Sequence, residues 1–134
     1  MAANVRRSNG SKRSAVTRWL RHQARPCHIC GLPIRYDLPH GDPQCFECDE
    51  LVPVSRGGSP YDRANVDAAH RCCNNWRKAR SLDEVASIRQ TALSRYGSWS
   101  TPLEFVAKAK ACGKADALRI NSARFGTLRT TTDW

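Results

Sequence analysis

Acidic residues are scarce and unevenly placed. Residues 1–26 contain no aspartate or glutamate, yet they carry Arg6, Arg7, Lys12, Arg13, Arg18, Arg21 and Arg25. Over all 134 residues, 22 Lys and Arg stand against 12 Asp and Glu, a formal net charge of +10. That balance favours a polyanionic partner, and nucleic acid is the usual one. Long apolar runs are also missing. Nothing approaches the roughly 18 residues that cross a bilayer, and the N-terminus lacks the apolar core of a secretory signal. The expectation is a soluble, cytoplasmic protein with no membrane partner. No low-complexity tract is present, and the only repetition is a pair of similar helix caps. The length fits one compact domain plus appendages.

Cysteine, by contrast, is plentiful: there are seven. In a reducing compartment that number points to metal rather than to disulfides. Cys27 and Cys30 form a CxxC followed by Gly31, the form of a zinc knuckle. Two thiolates at this spacing reach one tetrahedral ion, and the glycine permits the tight turn. The stretch "HRCCN" offers a second pair, His70 and Cys73, three apart on a predicted helix and so on one side of it. Cys27, Cys30, His70 and Cys73 would close a structural Cys3His site. A rival pair exists in "CFEC", Cys45 and Cys48, as replacement ligands or a second site. A strand there would point the two thiols to opposite faces. Cys72 and Cys112 read as small buried hydrophobes.

Three segments organise the chain: a basic arm with a short helix over 1–26, a Cys-rich core over 27–80, and helices with a basic tail over 81–134. The first helix is predicted within "SAVTRWLRHQAR", capped by Ser14 and ended by Pro26. "CFECDELVPV" is a strand candidate, with a second short strand or turn near "SRGGSP". Helix is expected from about Asn65 onward. Ser81 and Glu84 form a capping-box pattern closed by Gly97. Thr101, Pro102 and Glu104 repeat the scheme, with Gly113 as the stop. Residues 70, 73, 74, 77 and 78 share one predicted helix face. They read His70, Cys73, Asn74, Arg77 and Lys78: ligands, then an amide, then two cations that suit phosphate.

From "CHICG" through "CDELVPVSRGG" to "RANVDAAHRCCNNWRKAR", about residues 27–80, the chain resembles the HNH endonucleases, in particular small phage-encoded members. The resemblance implies an α+β, ββα-metal fold: a two-stranded hairpin, then a helix, with a catalytic metal between them. It implies a metal-dependent DNA endonuclease used in phage DNA processing or packaging, with DNA as partner and phage terminase or other DNA-processing proteins as further partners. By residue, Asp49 matches the acidic ligand of the catalytic Mg²⁺ or Mn²⁺, and Asn74 the last motif position that also ligates it. Asn65 matches the central Asn that braces the loop, and Gly57 and Gly58 the tight turn. His70 and Cys73 match the second zinc pair. Arg77 and Lys78 would contact phosphate, and Arg56, Arg71, Arg80, Arg18 and Arg21 complete the expected DNA-binding set. Glu50 stands where the family usually has its first histidine, the general base. A carboxylate can accept a proton from water, and hard oxygen donors suit Mg²⁺ or Mn²⁺. Strand alternation, however, would put Asp49 and Glu50 on opposite faces unless the strand ends or bulges. His22, His28 and His40 are expected to be bystanders. Two other readings stay open: a zinc-stabilised DNA-binding module with little or no catalysis, and a scaffold subunit of a phage DNA-processing assembly.

Overall fold

In the computed structural model, residues 10–113 are described. Arg6, Arg7 and the basic stretch after Gly113 lie outside them. Among the described residues a small α+β fold is observed: four helices around one two-stranded antiparallel sheet. Helix α1 (Gly10–His22) precedes the Cys knuckle. Strand β1 (Phe46–Glu50) pairs with β2 (Val66–His70), in register from Phe46↔His70 to Glu50↔Val66. Helix α2 (Arg71–Arg77) follows β2 directly, then α3 (Leu82–Tyr96) and α4 over residues 102–113.

Three details differ from the sequence reading, and one open alternative is resolved. Helix α1 is described from Gly10, before Ser14: its first turn is basic and free of acids, and Ser14 lies inside the helix rather than at its cap. Of the strand or turn expected near "SRGGSP", the turn is observed. A 3-10 turn over Val54–Arg56 ends at Gly57, whose φ of +92° is left-handed. Gly58 passes so close to Val52 that an added Cβ would sit 1.7 Å from its carbonyl oxygen, so only glycine fits. The partner strand lies later, at Val66–His70, where helix was expected. Burial of Val66, Ala68 and Ala69 and the ladder to β1 outweigh the helix preference of the two alanines. His70 is therefore the end of a strand and the N-cap of α2, not a helical residue.

The two faces of β1 are used separately. Side chains alternate, so Glu47 and Asp49 share the face toward α2, and Phe46, Cys48 and Glu50 the face toward α1. Arg13 of α1 donates to Cys48 O and Pro60 O, which pins the helix along β1. One contiguous core joins all parts: Val16 and Leu20 of α1, Ile29 of the knuckle, Phe46, Val66, Trp76, Val85 and Phe105. Phe105 is fully buried and meets Trp76 and Trp99 edge-on, at 5.4 and 4.9 Å between centroids. Trp99 also donates from Nε1 to Cys30 O, tying the C-terminal helices to the knuckle. Both predicted caps are present. Ser81 and Glu84 form a reciprocal capping box, and Thr101 accepts from Glu104 N.

Candidate metal centre and the surrounding acidic network

Cys27, Cys30, His70 and Cys73 converge as predicted. One ligand atom from each lies within 4.8 Å of all the others, and all four residues are buried. Sulfurs around tetrahedral zinc stand about 3.8 Å apart for Zn–S bonds of about 2.3 Å. The observed spacing therefore suits a zinc ion with little adjustment. The local backbone builds this arrangement. Gly31 takes φ +83° and closes the knuckle turn onto Cys27 O. His28 N donates to Ala68 O, docking the knuckle on the free edge of β2. Cys30 N and His70 N both donate toward Cys27 Sγ, at 3.5 and 3.4 Å, which favours the thiolate.

The imidazole of His70 is oriented for ligation. Nε2 lies 3.0 Å from Pro33 O, which fixes the proton there and leaves Nδ1 facing Cys30 Sγ at 3.4 Å and Cys73 Sγ at 3.9 Å. Without metal, Cys27, His70 and Cys73 are strongly shifted by their neighbours. Hydrogen bonds from Cys30 and Cys73 hold Cys27 far below the ordinary thiol range. Cys73 is driven far upward, first by its hydrogen bonds to Cys27 and Cys30. Burial opposes charging His70, but its hydrogen bonds to the sulfurs of Cys27 and Cys30 outweigh it and raise it to about 10. A divalent cation would displace the protons of this cluster and bind the thiolates and the imidazole instead. Cys45 and Cys48 are not part of this group, the one such cluster found among the described residues. Burial pushes the Cys48 thiol up, as for a packed side chain.

Asn65 braces the loop through backbone hydrogen bonds. Its side-chain oxygen accepts from Val52 N, and its amide donates to Val52 O and Ser59 O, each at 2.9 Å. It cross-braces both ends of the glycine loop.

The acidic residues are arranged differently from the expectation. Asp49 is buried, with Oδ2 2.6 Å from Arg77 Nη1 and 2.7 Å from His28 Nε2. Asn74 faces β1 but meets Glu47, donating to Oε1 at 3.0 Å, rather than turning toward Asp49. Arg71 Nη1 takes the other Glu47 oxygen at 3.3 Å. The strand runs through Glu50 without a bulge, so Glu50 lies on the opposite face, 3.6 Å from Arg13. For a catalytic divalent ion, the donors are right in kind: carboxylate and amide oxygens. Their arrangement does not fit one, because Asp49 and Asn74 are engaged by separate partners and cations already sit on both carboxylates. Arg77 is also corrected. At 2% exposure it faces no DNA; it donates to Glu50 O, Leu51 O and Arg80 O as well as to Asp49. Arg18, Arg56 and Lys78 are exposed as expected. Arg21 is exposed too, but donates to Tyr36 O and lies over Phe46. Sequence reasoning missed Glu47 and His28. The period of two from Asp49 back to Glu47 was a usable signal for the first; nothing in the sequence pointed to the second.

No protein-family model matches the chain, and no curated protein or solved structure matches it.

Proposed function

We propose that this protein is a DNA endonuclease of the HNH type, hydrolysing phosphodiester bonds on a zinc-stapled ββα unit. One observation supports this most. Asn65 spans the glycine loop between β1 and β2 with three hydrogen bonds, next to a strand ending in Asp49–Glu50 and a helix carrying Asn74. A merely structural zinc knuckle has no need of that braced loop. The order Asp49, Glu50, Asn65, Asn74 around it is the order that the resemblance implies. The resemblance implies Mg²⁺ or Mn²⁺ as well, but Asp49 and Asn74 do not converge on one ion as folded. The chain's own residues hold the loop, fix β1 against α2, and present cations to the DNA backbone. Glu50 is the candidate base by its place in the motif.

A second reading, a DNA-binding module without catalysis, is favoured by the ion network. Arg77 and His28 occupy the carboxylate of Asp49, and Glu50 faces α1 rather than α2. Supercoiled plasmid, zinc-loaded protein and added Mg²⁺ or Mn²⁺ separate the two. Metal dependence is best read by leaving Mg²⁺ and Mn²⁺ out, because a chelator would also strip the zinc. Nicking that requires the added ion favours the first reading. Salt-sensitive binding without nicking favours the second.

A further inference from the structure

We infer that the groove between α2 and α4 is a phosphate-binding site that grips the DNA backbone, built from Lys78, Arg80, Lys110 and Asn75. It rests on the nucleic-acid part of the reading above, and it adds a helix, α4, that the HNH-like segment does not include. The groove encloses about 490 Å³. Three of its lining residues are cations, none is an acid, and Trp76, Leu103 and Val106 make its apolar walls. Low-dielectric walls strengthen the field of the charges at the rim.

The cations are held there by specific devices. Lys78 closes α2 with a φ of +50°, a left-handed conformation that lysine rarely adopts. The Arg80 guanidinium carbon lies over the Trp76 ring, 4.7 Å from its centroid, and the side chain donates to Trp76 O. Buried Arg77 donates from Nε to Arg80 O and so fixes the turn that carries both. Among the described residues, none of the three cations forms an ion pair with a carboxylate. The plain alternative is that Lys78 and Arg80 only offset the negative end of α2. That end is worth about half a charge, against three full positive charges, and Lys110 comes from another helix. The excess suits an anion with several oxygens, and Asn75 adds an amide donor.

The test uses zinc-loaded full-length protein without Mg²⁺ or Mn²⁺ and a short labelled DNA duplex, titrated over a range of salt. Lys78→Gln/Lys110→Gln should lower the slope of log K against log salt by about two, near 0.9 for each phosphate no longer neutralised. Lys78→Arg/Lys110→Arg should keep the wild-type slope. In an amide NMR titration, the duplex should shift Asn75, Arg80 and Lys110. An unchanged slope in the Gln variant overturns the site, including when its stability falls, since that is the helix-end role alone. Shifts with inorganic tripolyphosphate but not with duplex overturn the DNA assignment in favour of a free polyphosphate. The two proposals fail separately: wild type that binds but never nicks sinks the nuclease and leaves this site standing. A Gln variant that nicks and binds with the wild-type slope does the reverse.

Discussion

Replacing Arg77 should cost more stability than replacing any other cation among the described residues. Its guanidinium is 2% exposed and donates to Asp49 Oδ2 at 2.6 Å, Leu51 O at 2.6 Å, and Glu50 O and Arg80 O at 3.1 Å. Arg77→Met keeps most of the apolar stem and removes every donor. Asp49, with 9% of its side chain exposed, is left as a buried charge whose one remaining partner is His28. Breaking a buried pair by deleting one member costs about 3–5 kcal/mol. The surviving His28 hydrogen bond argues for the lower half of that range. Set against a typical total of about 5–15 kcal/mol, this is enough to bring the fold near its limit. Arg77→Lys restores the charge but not the fork that reaches several carbonyls, and should fall between. Asp49→Leu/Arg77→Met removes both charges together and should recover a substantial part of the loss. Denaturant unfolding at saturating zinc, with zinc content measured for each variant, reads these values. A cost below about 1 kcal/mol for Arg77→Met, or no recovery in the double variant, would refute the view that Asp49 is committed to this network. The outcome bears on catalysis too. If Asp49 holds the fold, lost cleavage in Asp49→Ala is not evidence of metal ligation unless the variant is shown to be folded.

Purified protein should hold one zinc, and Cys73→Ser should lose it together with cooperative unfolding, because binding to this cluster adds directly to folding; two zincs by elemental analysis would return Cys45 and Cys48 to the ligand set. Asn65→Ala removes three loop-bracing bonds and should cost about 1–3 kcal/mol, with faster proteolysis near Gly57–Gly58; a loop equally resistant in the variant contradicts the bracing role. Glu50→Gln should slow cleavage by roughly a hundredfold, the usual scale for a general base, and a wild-type rate would remove Glu50 from the chemistry.

The zinc set was legible because ligand spacing is a covalent constraint: two cysteines three apart and a second pair elsewhere leave few choices. The capping box at Ser81 and the Thr101–Pro102 start were legible for the same reason, since each depends on neighbours in sequence. Asn65 and the two glycines were singled out through the resemblance; Asn65 and Gly58 sit in close quarters, and Gly57 takes a positive φ with open space around it. The second strand was misplaced. "VDAAH" carries too little β-branched character to declare itself, and its pairing with β1 is a tertiary fact. The carboxylates were the least legible part. Adjacency in sequence suggested that Asp49 and Glu50 act together, but an unbroken strand separates them by face. Asp49 meets Arg77 and His28, 28 and 21 positions away, and Glu50 meets Arg13 on a separate helix. These partners lie beyond the reach of any local pattern. Arg77 shows the same limit from the other side: a cation on a predicted polar helix face turned out to be buried.

Conversion of supercoiled plasmid to nicked circles by the zinc-loaded chain tests the central claim most directly. The account predicts nicking that appears with added Mg²⁺ or Mn²⁺, is absent without either, and is lost in a folded Glu50→Gln or Asn74→Ala variant. Intact plasmid at protein concentrations where salt-sensitive DNA binding is saturated would contradict it.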